Sequence, residues 1–191
     1  MTTCAIGVDP GWRWTAGVLR VDDRAINGFT LGPVDLAGKP SRKANDGMDT
    51  AAMYAYTRRI GQYLDQLYDE AVELGYGRPL LGVEMPSAPG SSKRYVTGLR
   101  AFLITDRVAY FSLGRYDGFP FPADGNGNRH YTAHGGNGDM ADYYPAELRR
   151  RRPSGWLRNE EPRTSRDHER AAYDIAGRVL ELNVSRETAA A

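Results

Sequence analysis

Ile6-Gly7-Val8-Asp9-Pro10-Gly11 closes the first apolar run of the chain, and Thr15-Ala16-Gly17-Val18-Leu19-Arg20-Val21 makes the next. Residues 3–9 are short, apolar and stopped by a Pro-Gly turn signal, as a buried strand is. Residues 15–21 and 25–31 repeat the pattern between Gly, Pro or Asp. Three such strands on tight links predict an antiparallel meander. Residues 33–47 then read as a polar loop with Gly38, Pro40 and Ser41. Met53, Ile60, Leu64, Leu67 and Ala71 recur at helical spacing, predicting a helix over 49–74 that stops at Gly75. Residues 79–84 read as a buried strand ending in Glu84, and about 92–113 as a second helix. The Gly- and Asn-rich stretch 114–142 reads as one long loop. Residues 143–148 are expected to return to the sheet. The last helix is expected from near Ser165 to about Leu182, with Ala172, Ile175, Val179 and Leu182 inward and a frayed tail from Glu187. This order predicts one α/β domain over 1–191. Its mixed five-stranded sheet combines the antiparallel meander with parallel strands and is flanked by helices.

At 191 residues and 41% hydrophobic, the chain can bury one sizeable core. It has no apolar run of about 18 residues, so no membrane span is expected. Met1-Thr2-Thr3-Cys4-Ala5-Ile6 lacks the basic and apolar regions of a secretory signal. A cytoplasmic protein is the expectation. Cys4 is the single cysteine, which allows no intrachain disulfide, and no zinc-type Cys/His spacing occurs. The net charge of +1 says little about partners, but 22 of the 25 basic residues are arginine. Arginine forks onto phosphates and stacks on flat rings, which suits nucleic acid. Codon bias in a GC-rich genome explains the composition equally well. The densest positive charge is Arg149, Arg150, Arg151 and Arg152, the best electrostatic candidate for a phosphate backbone. Trp156 reads as a packing anchor, and His130 and His134 as loop residues without a metal.

Asp9 ends a buried strand, where a carboxylate is costly unless compensated. A divalent cation compensates it; so does an Asx-turn over Pro10-Gly11. Glu84 repeats the placement at the end of the fourth strand. If the first and fourth strands are neighbours, the two carboxylates can share a metal. The run Asp167-His168-Glu169-Arg170-Ala171-Ala172-Tyr173-Asp174 opens the last helix. At 100° per residue, Asp167, Ala171 and Asp174 share one edge, while His168 falls nearer the apolar stripe. Asp167 also suits the helix dipole, and Asp174 suits a pair with Arg170 or Arg178.

The strand ending in Asp9-Pro10-Gly11, the Thr15-Ala16-Gly17-Val18 that follows, and Val83-Glu84 together resemble RuvC-type Holliday-junction resolvases. The resemblance covers most of the chain in element order. It implies the RNase H-like fold and hydrolysis of phosphodiesters in branched DNA by a homodimer. It also implies two Mg2+ ions, with Mn2+ able to substitute, about 4 Å apart. Asp9 would bridge them, and Glu84 would hold one. The family's last helix carries two ligands three residues apart. Here His168 takes the first place and Ala171, which cannot ligate, the second. Asp167 and Asp174 stand as substitutes. Lys93, Arg94, Tyr95 and Arg100 follow Glu84, where the family's scissile strand lies. The helix over 49–74, with Tyr54, Tyr63 and Tyr68, becomes a candidate dimer face. The compartment would be the cytoplasm, that of the host if a phage encodes the chain. Other functions remain open: a flap or branch nuclease, an exonuclease, an RNase, or an inactive binder of branched DNA, for which Ala171 speaks. An actin-like or sugar-kinase-type ATPase fits less well, because Trp12-Arg13-Trp14 is bulky where phosphate needs a small-residue loop.

Overall fold

The computed structural model describes residues 3–10, 13–41, 50–84, 121–123, 143–149, 156–161 and 166–190. Strands β1 (Cys4–Pro10), β2 (Thr15–Val21) and β3 (Arg24–Leu31) form the antiparallel meander. Helix α1 (Thr50–Glu73) follows, and β4 (Leu80–Glu84) then pairs in parallel with β1. Strand β5 (Phe121–Ala123) adds in parallel to β4. A short helix α2 (Ala146–Arg149), the two-residue β6 (Arg158–Asn159) and the long α3 (Asp167–Ala190) complete the order. Among the described residues the sheet runs β5-β4-β1-β2-β3-β6, with β6 parallel to β3 at one edge.

Side chains alternate across a strand, so each strand divides its residues between the two helices. Ile6, Val8, Leu19, Val21, Phe29, Leu31, Leu81 and Val83 form one buried cluster with Met53, Tyr56, Ile60, Leu64, Leu67 and Ala71 of α1. The inner stripe expected for α1 is thus the stripe that packs. On the other face, Ala5 and Leu80 meet Ala176 and Val179 of α3, while Ala16 and Val18 meet Ala172 and Tyr173. The result is three layers, helix on sheet on helix. Gly7 and Gly82 stand opposite each other in the β1–β4 register. A Cβ on Gly7 would lie 2.0 Å from the Ala172 carbonyl oxygen, and one on Gly82 would lie 2.1 Å from Val179 Cγ2. The glycine pair therefore lets α3 approach close to the sheet. Among the described residues no helix is long and apolar enough to cross a membrane.

Four segments differ from the sequence reading. Residues 143–148 do not return as a strand; α2 forms there instead. Pro145 sets a helical entry angle, its carbonyl takes the Leu148 N–H at 2.9 Å, and Ala-Glu-Leu-Arg are strong helix formers. The fifth strand is β5, inside the stretch read as loop. It lies at the sheet edge, where Pro122 is tolerated because only one side must pair. Helix α3 continues to Ala190 rather than ending near Leu182 with a frayed tail from Glu187. Its last turns contain no Gly or Pro, and Asn183 donates to Glu187 at 2.8 Å. The short β6 was not read from the sequence at all. The helix expected over about 92–113 lies outside the described residues.

Candidate functional site

The parity of β1 and β4 sets the first two carboxylates. Gly7 faces α3, so Asp9, two residues on, faces it too. Gly82 also faces α3, which puts Glu84 on the same face at the same carboxyl end of the neighbouring parallel strand. The β1–β4 ladder ends with Val8 opposite Val83, so Asp9 and Glu84 are the next residues on adjacent strands. Crevices at the carboxyl ends of parallel strands are common ligand sites in α/β sheets. Asp9 is 9% exposed and Glu84 is half-buried.

Helix α3 supplies the third group. It runs back along β1, with Ala172 and Ala176 over Gly7, so its first turn stands over the carboxyl end of β1. His168 Nδ1 donates to Asp9 Oδ2 at 3.0 Å. The His168 side chain is 33% exposed and that of Asp9 is 13% exposed. Burial works against the imidazolium. The hydrogen bond and charge of Asp9, with Glu161 and Asp167 nearby, outweigh burial and raise the His168 pKa above its usual value.

At 3.0 Å the pair is hydrogen-bonded, and only with Nδ1 free of its proton could the same two atoms take adjacent positions on one cation. Ligands at about 2.1 Å and at right angles on one octahedral ion lie roughly 3.0 Å apart. The Asp9–His168 separation is 3.0 Å. Among the described residues, no three His, Cys, Asp or Glu form a group of metal-binding size. Glu84 is the carboxylate one strand away.

Asp174 goes elsewhere. Six residues past His168, it is turned about 240° around the helix. Its Oδ2 accepts from the Tyr144 hydroxyl at 2.7 Å, it is buried, and Oδ1 has no hydrogen-bond partner. Burial is the main cause that raises the Asp174 pKa to about 7, against the lowering effects of Tyr144 and Arg20. Asp167 is half-buried in the first turn of α3. Arg149 is exposed at the end of α2, and its guanidinium donates to the Tyr144 carbonyl. Arg150, Arg151, Arg152, Lys93, Arg94, Tyr95 and Arg100 lie outside the described residues, as do His130 and His134.

Glu169, which the sequence places behind Asp167, His168 and Asp174 as a candidate, is fully buried beside His168. Its carboxylate accepts from Arg166 Nε at 2.6 Å and from Thr30 Oγ1 at 3.0 Å. The spacing Arg166-x-x-Glu169 signals a helical pair. Nothing in that spacing signals burial, because charged residues at a helix start are usually solvated.

Compared with known proteins, the chain matches no family model, no curated protein and no solved structure.

Proposed function

We propose that the chain is a metal-dependent endonuclease of the RNase H-like, RuvC type that hydrolyses phosphodiesters in branched DNA. The observation that carries this reading is the contact between Asp9 and His168 at the carboxyl end of the central strand, beside Glu84. A strand-ending carboxylate facing a helical imidazole across one cation corner is what the Asp-Pro-Gly motif and His168 would make together. Mg2+ or Mn2+ held there would polarise the phosphodiester and lower the pKa of an attacking water. Asp9 would hold the ion and fix its place relative to the sheet. Glu84 would supply the second carboxylate, and His168 would take the place that the family gives to its first helical ligand. Asp167 is near enough in sequence to add to the same turn, whereas the contacts of Asp174 favour a structural role. Two-fold symmetric nicking of a four-way junction favours a homodimer.

A second reading keeps the affinity for branched DNA without cleavage. Ala171 favours it: this residue is buried where the family carries a ligand. One experiment separates the readings. The protein is incubated with a four-way junction, a flap and a linear duplex, each with Mg2+, Mn2+ or chelator. Metal-dependent nicking of the junction supports the nuclease. Tight junction binding with no nick in any metal supports the inactive binder. ATP-dependent thermal stabilisation without DNA binding would overturn both.

A further inference from the structure

Asp9, Ala16 and Thr30 form one row across the three meander strands. Asp9 is in register with Ala16, and Ala16 with Thr30. All three face α3. With strands about 4.8 Å apart, Asp9 and Thr30 are separated by roughly 10 Å across the row. Two consecutive residues of α3 reach its two ends. His168 meets Asp9 at 3.0 Å, and Glu169 meets Thr30 at 3.0 Å. Between them Ala16 is a small side chain, which leaves room for the helix start.

The Glu169 end is built as a clamp. Its carboxylate is completely buried and takes Arg166 Nε at 2.6 Å. The same guanidinium donates to the Glu147 carbonyl and lies 4.5 Å over the Trp156 ring. One buried ion pair thereby joins β3, α2, the segment before β6 and the first turn of α3. Stability alone does not explain it, since a buried pair is often replaced by apolar residues without loss. The glycine contacts of Ala172, Ala176 and Val179 fix the axis of α3 on the sheet one turn and more beyond His168. The Glu169 contact, from the residue next to His168, fixes the first turn itself and with it where the imidazole faces.

We propose that Glu169, held by Thr30 and Arg166, is a positioning residue that sets the rotation of α3 so that the His168 imidazole meets Asp9. The proposal rests on the reading of Asp9 and His168 as the reactive pair. Its closest analogy is the outer-shell carboxylate that orients a metal-binding histidine, except that it acts through the helix backbone rather than through the ring.

The test uses the full chain in four forms: wild type, Glu169→Gln, Thr30→Val and Thr30→Ser. Thermal unfolding reports the fold. In metal-free protein labelled with 15N-histidine, the Nδ1 resonance of His168, assigned by its loss in His168→Asn, reports the contact with Asp9. The Mg2+ concentration for half-maximal junction cleavage reports the site. Glu169→Gln and Thr30→Val are expected to fold, to move the His168 resonance toward that of a solvent-exposed histidine, and to raise the Mg2+ midpoint about 10-fold. Thr30→Ser, which keeps the hydroxyl, is expected to restore both readings. A His168 resonance and Mg2+ midpoint at wild-type values in folded Glu169→Gln and Thr30→Val would overturn the proposal, leaving the clamp a merely structural pair. If Glu169→Gln does not fold, the Thr30→Val and Thr30→Ser pair decides by the same criteria. If wild type shows no metal-dependent cleavage, the nuclease reading fails while the His168 resonance still decides the positioning claim.

Discussion

At the scale of single residues, Asp9 and Asp174 are both buried carboxylates, and their neighbours give them opposite roles. Asp9 meets the His168 imidazole at 3.0 Å, at a strand end beside a second carboxylate. Asp174 meets a phenol and has one oxygen with no partner. Asp9→Asn is expected to reduce metal-dependent cleavage by about 100-fold or more, as about 3 kcal/mol of charge stabilisation is lost. Junction binding should hold or tighten, because one charge that repels phosphate is gone. Near-normal turnover at saturating Mg2+ would remove Asp9 from the site. Asp174 behaves differently with pH. Its folded pKa, about 7, is above the ordinary carboxylate value. The protonated form is thus favoured by folding, and that stabilisation is complete below about pH 4 and is lost as pH rises through 7. Asp174→Asn, which can still accept from Tyr144, should melt close to wild type at pH 4 and above it at pH 8. Equal melting of the two proteins across that range would contradict the burial argument. Asp9 was legible in the sequence because a carboxylate closing an apolar strand is anomalous within seven residues. The surroundings of Asp174 were not, because Tyr144 lies 30 residues away and no local pattern announces it.

At the scale of elements, periodicity was readable wherever an apolar face was long. The five residues expected to face inward from α1 are all buried, and the strand bounds 15–21 coincide with β2. Short elements were not readable. Strand β5 has three residues and β6 has two, too few for alternation to register. Helix α2 has four, too few for a helical period to stand out from the strand expected over 143–148. The packing of α3 was half-legible: its apolar stripe was visible, but the glycines that admit it were not marked as a pair. Gly7 and Gly82 become a pair only once β1 and β4 are placed in register. Gly7→Ala is expected to cost about 1–3 kcal/mol, because the new methyl would meet helix backbone, which cannot rotate away. Denaturant unfolding measures this. The same variant should lose more activity than its stability change predicts, since pushing α3 outward also withdraws His168 from Asp9. Activity that tracks only the folded fraction would separate helix packing from the site.

At the scale of the whole molecule, the sheet's outer edge is closed by a contact between residues 101 positions apart. Arg59 on α1 forks onto Glu160, with Nη1 to Oε2 at 2.7 Å and Nη2 to Oε1. Glu160 Oε2 also takes the Gly32 N–H at 3.1 Å, and its backbone N–H donates to the Thr30 carbonyl at 2.9 Å. Asn27 holds the same segment from the other end: its Oδ1 accepts the Leu157 N–H at 3.1 Å while its Nδ2 reaches Glu70 at 2.6 Å. The segment 156–161 is thereby tied to both α1 and β3, which covers an edge otherwise open to pairing with another chain. Burial alone would raise the Glu160 pKa, but Arg59, the Gly32 N–H and Arg158 prevail and hold it at about 2. A depressed carboxylate stabilises the fold above its unfolded pKa and loses that contribution as pH falls through its folded pKa. The loss should therefore run from about pH 4.5 down to about 2. Glu160→Gln is expected to lower stability at pH 7 by about 1.5–3 kcal/mol, the range for hydrogen bonds to a charged group. The gap to wild type should narrow as pH approaches 2, where wild-type Glu160 also becomes neutral. Melting curves at pH 7, 4 and 2.5 test this, and a gap that stays constant across them would mean that the charge of Glu160 does not hold the edge. A closed edge also matters to the site, because β3 carries Thr30, and a loosened β3 would move the row that Thr30 shares with Asp9.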